Sequence, residues 1–155
     1  MPKLLQANAS TDFEAVLALI RESFAYMESR IDPPSSMHRL TAQSLADHAR
    51  DQELWLVEDG GKILACVQFT RQPDSLYVGK LAVRADQRRK GHAARLMRHA
   101  EARAKAVALP ALELQVRVEL TENHATFATM GFVKSGESAH AGYDRPTSIT
   151  MRKAL

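Results

Sequence analysis

Arg88-Arg89-Lys90-Gly91-His92-Ala93 directly follows Arg84 to Gln87 and, before them, the apolar run Leu76-Tyr77-Val78-Gly79-Lys80-Leu81-Ala82-Val83. The run predicts a buried strand, broken only at Gly79 and Lys80. After Ala93 the apolar residues fall at Leu96, Met97, Ala100, Ala104 and Val107, the spacing of one helical face. A basic, glycine-containing turn therefore stands where a strand ends and a long helix begins. A helix start carries unpaired N–H groups and the positive end of the macrodipole. Gly91 has no Cβ and lets the backbone approach a ligand. With the charges of Arg88, Arg89 and Lys90, the turn suits a phosphate or pyrophosphate. A solvated charged face and a nucleic-acid patch are the competing readings of such a run. The strand before it and the helix after it favour the anion site.

The chain has 155 residues, enough for one domain with a real core. Its apolar content of 45% and charged content of 25% are those of a globular protein. Net charge is only +3, so the basic turn is local. A dedicated nucleic-acid binder would spread a basic face over the domain, and none is expected here. The lone cysteine, Cys66, allows no internal disulfide and suggests a reducing compartment. No signal-peptide pattern and no membrane-length apolar run is present, so the expectation is a cytoplasmic protein with no membrane partner.

The hexapeptide resembles the R/Q-x-x-G-x-G/A signature of the GNAT N-acetyltransferase superfamily. Leu81-Ala82-Val83 resembles that family's preceding strand. Asn123, Phe127 and Gly131-Phe132 resemble its later N…Y…GF segment. The resemblance runs from about Leu54 to the C-terminus. It implies a single α/β domain over residues 1–155, with a mixed, mostly antiparallel twisted sheet and helices on both faces. It also implies acetyl-CoA as co-substrate, an amine as acceptor, and a homodimer as one form of assembly.

The remaining elements read in order. Lys3 to Ala7 predicts a short strand, and Thr11-x-x-Glu14 a capping box opening a helix through Met27. Ile31-Asp32-Pro33-Pro34-Ser35-Ser36 predicts a stiff loop. Thr41 predicts the cap of a second helix, with Leu40 and Leu45 as its staple. Glu53–Glu58 and Lys62–Thr70 predict a hairpin about Asp59-Gly60-Gly61. Ala111–Val118 predicts a strand and Glu122–Met130 a helix. Phe132–Ser135 and Thr147–Met151 predict closing strands.

On the family pattern, the amides of Arg89 to Ala93 would hold the pyrophosphate. The cofactor-binding set is Leu81, Ala82, Val83, Arg88, Arg89, Lys90, Gly91, His92, Ala93, Asn123 and Phe127. The backbone of Leu81 to Val83 would pair with the pantetheine arm as a strand pairs with a strand. The first interhelical segment would shape the acceptor pocket, making Tyr26, Asp32, Ser35, Ser36 and His38 candidate substrate contacts. An amine like that of lysine is mostly protonated at neutral pH, with a pKa of about 10.4, so a base is needed. Where the family often has Glu in an L-E-V-R run, this chain has Leu114-Gln115-Val116-Arg117. Glu119 shares the strand parity of Gln115 and Arg117 and is the candidate base. Where many members have a thiolate-protonating Tyr, this chain has Phe127; Tyr143 is the candidate stand-in. The departures leave open an alternative, a module that holds an acyl-CoA without turning it over. The histidine spacing suggests no metal site.

Overall fold

The computed structural model describes all residues, Met1–Leu155. Seven strands form one open sheet. They are β1 (Lys3–Gln6), β2 (Glu53–Asp59), β3 (Lys62–Arg71), β4 (Leu76–Val83), β5 (Ala111–Arg117), β6 (Val133–Ser138) and β7 (Ser148–Ala154). Their order across the sheet is β1-β2-β3-β4-β5-β7-β6. Every pairing is antiparallel except β4 with β5. Four helices accompany them: α1 (Phe13–Phe24), α2 (Ala42–Asp51), α3 (His92–Ala106) and α4 (Thr121–Thr129).

Alternation along the strands supplies a core on each face. Leu54, Leu56, Cys66 and Ala82 pack under α1 and α2, against Val16, Leu17, Ile20 and Leu45. Val67, Phe69, Leu76, Val78, Leu112 and Leu114 pack against Leu96, Met97, Ala100 and Ala104 of α3. The β2–β3 hairpin turns through Gly60 and Gly61, both at positive φ. Two successive positive φ values match the right-handed twist of the flanking strands. Thr41 caps α2 reciprocally with Ser44. No helix is long and apolar enough to cross a membrane.

Some elements differ from their sequence expectation. The cap of α1 is Asp12, whose side chain accepts from Ala15 N, rather than Thr11. Thr11 Oγ1 instead accepts from Asn8 N in the preceding turn. The helix also ends at Phe24, and Ala25–Met27 tightens into a 3-10 turn. β6 runs on to Ser138, since its pairing with β7 continues past an irregularity at Lys134/Gly136.

Candidate active site

The parallel pair β4–β5 holds together only at Leu76↔Leu112 and Tyr77↔Glu113. Beyond those residues the strands part. A bulge in β4 accompanies the gap. In β4, Gly79 pairs with Gln68 and Ala82 with Cys66, leaving two residues of β4 opposite one of β3. Lys80, in this bulge, has φ 52°. A bulge bends its strand and re-aims a side chain. The result is a cleft of about 810 Å³, walled by Val78–Val83 on one side and Leu114–Arg117 on the other.

At the C-terminal end of β4 lies the basic turn. Gly91 caps α3 in the left-handed conformation, φ 84°, with no side-chain cap. A Cβ built there would meet nothing within 4 Å, so the space before the helix start is open. Arg89 also has positive φ, 64°. No protein group accepts a hydrogen bond from the amides of Arg89 to Ala93. Arg88 and Ala93 line the cleft, while Arg89 and Lys90 are exposed. The His92 ring is buried and its Nε2 meets Gln87 Oε1 at 3.1 Å. That contact braces the turn, so His92 offers a ligand its backbone rather than its ring.

Leu81, Ala82, Val83, Asn123 and Phe127 all line the cleft. Val83 O already accepts from Ser23 Oγ at 3.0 Å. Phe127 packs edge-on against Phe132, with ring centroids 6.0 Å apart.

Of the acceptor-side candidates, Tyr26, Ser35 and Ser36 line the cleft, and Asp32 and His38 do not. His38 instead pairs with Glu28 at 2.8 Å. Asp32 accepts from the Tyr143 hydroxyl at 2.5 Å and meets Arg145 at 3.4 Å. Glu119 lies past the end of β5, where strand parity no longer governs its direction, and its Oε2 accepts from Asp32 N at 3.2 Å. Its Oε1 is buried with no partner. Glu119, Asp32 and Tyr143 thus form a chain of contacts beside the cleft, and none of the three lines it.

Among the other side chains that line it are Tyr77, Lys80 and Arg117, to which the sequence assigned no role, and His140, which with His38, His92 and His124 has an ordinary pKa of about 6.5 that suits proton transfer. Lys80 Nζ donates to Ser36 Oγ at 2.7 Å. Arg117 donates to Pro33 O and Pro34 O at 2.7 and 2.9 Å, pinning the proline loop to β5. Burial raises the Tyr77 phenol above its ordinary value. The Cys66 thiol is buried too and is pushed up to about 12, which leaves it no role as a nucleophile. Arg30 forms an ion pair with Glu122 at the edge of the cleft, and that bond holds the Glu122 carboxyl down to about 2.

His140 is the most informative of these. Thr147 Oγ1 accepts from His140 N at 2.9 Å and donates its only proton to Ser138 O at 3.3 Å. Thr147 Oγ1 also meets His140 Nδ1, and where the ring carries its proton on Nδ1 that contact leaves the lone pair on Nε2. Burial, then the charges of Arg117 and Arg39, lower the imidazole pKa against a smaller opposing effect of Glu119. No group of His, Cys, Asp and Glu is placed to hold a metal ion.

The backbone resembles that of several solved enzymes. PaiA N-acetyltransferase from Thermoplasma acidophilum, solved with coenzyme A, superposes with a TM-score of 0.84 at 12% identity, covering 100% of this chain and 99% of that one. The ribosomal-protein-S18-alanine N-acetyltransferase of Escherichia coli gives 0.71 at 19% identity, over 99% and 94%. A GNAT family acetyltransferase from Elizabethkingia anophelis with acetyl-CoA bound gives 0.69 at 14%, over 99% and 98%. At these identities the likeness is one of fold. Sequence comparison with curated proteins gives no match. The model of the acetyltransferase (GNAT) family matches residues 13–132. With the sheet parted at β4 and the free amides at Gly91, that match identifies the chain as a member of the GNAT acetyltransferase family.

Proposed function

We propose that the protein transfers the acetyl group of acetyl-CoA to an amine by direct attack in a ternary complex, with no acyl-enzyme intermediate. One observation carries this: unpaired amides at a helix start open onto a cleft that separates two strands of the sheet. The amides of Arg89 to Ala93 and the Arg88 side chain hold the pyrophosphate. The parted edge of β4 at Leu81 to Val83 takes the pantetheine arm, with Asn123 and Phe127 on the opposite wall. Acetyl-CoA supplies an activated thioester. The new bond is amine nitrogen to carbonyl carbon, the broken one is carbon to sulfur, and the amine gives up a proton.

We assign that proton to His140 Nε2. It lines the cleft, its Nδ1 meets Thr147 Oγ1, and burial with the Arg117 and Arg39 charges favours its neutral form. Glu119 and Tyr143 act one layer further out, through Asp32. The sulfur leaves as thiolate, which a free thiol pKa of about 8.5 permits near neutrality. Calorimetry with acetyl-CoA tests the reading directly. Saturable binding that weakens in Gly91→Val is expected, and no binding at millimolar ligand removes it. A module that only holds the acyl-CoA would bind in the same way but release no free thiol when amines are added.

A further inference from the structure

Two cations, Lys80 and Arg117, line the acceptor side of the cleft, and a third, Arg39, stands close enough for its charge to act on Lys80. Lys80 rises from the bulge of β4, Arg117 from the end of β5, and Arg39 from the 3-10 turn Ser36–Arg39 between α1 and α2. No carboxylate forms an ion pair with any of them. Lys80 is half-buried, and its one bond is to the Ser36 hydroxyl. Burial, then Arg117 and Arg39, lower its pKa, which records a field hostile to a further positive charge. Like charges brought together at a partly desolvated site repel unless an anion joins them. The Arg117 guanidinium is anchored by two proline carbonyls, so this cluster cannot relax by swinging it away.

Resting on the acetyl-transfer reading, we propose that the acceptor is an amine that also bears a carboxylate, such as a free amino acid, seated with its carboxylate on Lys80 and Ser36. The geometry provides for both ends. Lys80 has N–H groups to spare after Ser36 Oγ, and the Ser36 and Ser35 hydroxyls line the same wall. Ser35 Oγ accepts from Met37 N at 3.2 Å and keeps its proton to donate. His140, on the same cleft, receives the amine proton. Polyamines are disfavoured, because each further ammonium would enter a field in which Lys80, Arg117 and Arg39 outnumber the carboxylates that face Arg117, those of Glu119 and Asp32. The pyrophosphate is an unsuitable occupant of this cluster, since its own site lies at the helix start beyond Val83.

The test pairs acids with their amides. Methionine, phenylalanine, glutamine and serine, each beside its carboxamide, and spermidine, are offered with acetyl-CoA, and free CoA thiol is measured. Amides have the more weakly basic amine and more of it free at neutral pH, so a preference for the acids cannot arise from amine availability. The acids should lead in kcat/KM by about ten-fold or more, the worth of one charge-assisted hydrogen bond. Lys80→Gln should erase the preference and Arg39→Gln, at an exposed position, should reduce it, both with acetyl-CoA affinity retained. Amides or spermidine turning over as well as the acids would overturn the proposal. So would a preference that survives Lys80→Gln, or acetyl-CoA binding with no turnover of any amine. Failure of the wild-type protein to bind acetyl-CoA would instead sink the acetyl-transfer reading beneath it.

Discussion

Asn123 Nδ2 donates to the Tyr26 hydroxyl at 3.0 Å, tying the start of α4 to the end of α1 over the cleft. The bond sets the Asn123 amide so that its oxygen is free to meet a ligand. Tyr26→Phe removes the tether without removing the amide. Acetyl-CoA affinity should then fall by about five-fold, the value of one neutral hydrogen bond. Titration calorimetry on Tyr26→Phe and Asn123→Ala, singly and together, checks this. The double variant should lose less than the sum, because the two groups act as one unit.

Gly91 offers a cleaner probe of the anion site. Its φ of 84° strains any other residue, while no atom stands within 4 Å of an added Cβ. The penalty for Gly91→Ala is therefore one of backbone, about 1–2 kcal/mol. The expected outcome is a lower melting temperature with acetyl-CoA affinity reduced, and partial rescue of melting by the ligand. Thermal scans with and without acetyl-CoA read both.

His140 makes the rate depend on pH in one direction. Burial and the Arg117 and Arg39 charges move its pKa below the usual value near 6.5. The base is lost as pH falls, so kcat/KM should drop on the acid side with a midpoint below that value. His140→Gln should remove this limb and lower kcat/KM by about 100-fold. Thr147→Val should keep the limb but weaken it, since the ring loses the Thr147 Oγ1 contact that orients it. Stability follows the same sign. A histidine lowered in the folded state stabilises above its unfolded pKa, and that contribution fades as pH falls toward the folded one.

Glu53 joins β2 to α3 far from the cleft. Its carboxylate accepts from Arg103 Nε at 2.7 Å and Nη2 at 3.1 Å, and from Trp55 Nε1 at 2.8 Å. Its side chain is only 4% exposed. Burial alone would raise the carboxyl pKa, but the bonds from Arg103 and Trp55 and the nearby positive charge hold it below its ordinary value. Glu53→Ala leaves Arg103 without its partner and should cost about 3 kcal/mol in urea unfolding. In the wild type this contribution is complete above the unfolded carboxyl pKa and fades as pH falls through the folded one.

The parts of the site built from local patterns were legible in the sequence. Gly91 at the change from strand to helix marked the free amides, and the resemblance of Asn123, Phe127 and Gly131-Phe132 to a family segment pointed to two residues that line the cleft. The acceptor side was not legible, for three separate reasons. Lys80 interrupts the apolar alternation, and an interruption does not say that the strand bulges there and turns the side chain into a cleft. Glu119 was extrapolated by parity, but β5 stops at Arg117 and the next residues turn. His140 lies in the β6–β7 connection, where no period exists. Its role emerges only because β7 inserts between β5 and β6 and brings that connection beside Arg117.

The two-residue seam between β4 and β5 has a mechanical consequence. On one side of it stand four strands, and on the other three, so the two panels are stitched by few backbone bonds and by whatever α3 and α4 add. A pantetheine arm lying in the gap would act as the missing rung of this ladder. Amide hydrogens along Leu114 to Arg117 should therefore exchange more slowly once acetyl-CoA is present, and the whole chain should melt higher by mass action. The donor would then do more than deliver its acetyl group: it would stiffen the hinge that holds the acceptor wall in register with the thioester.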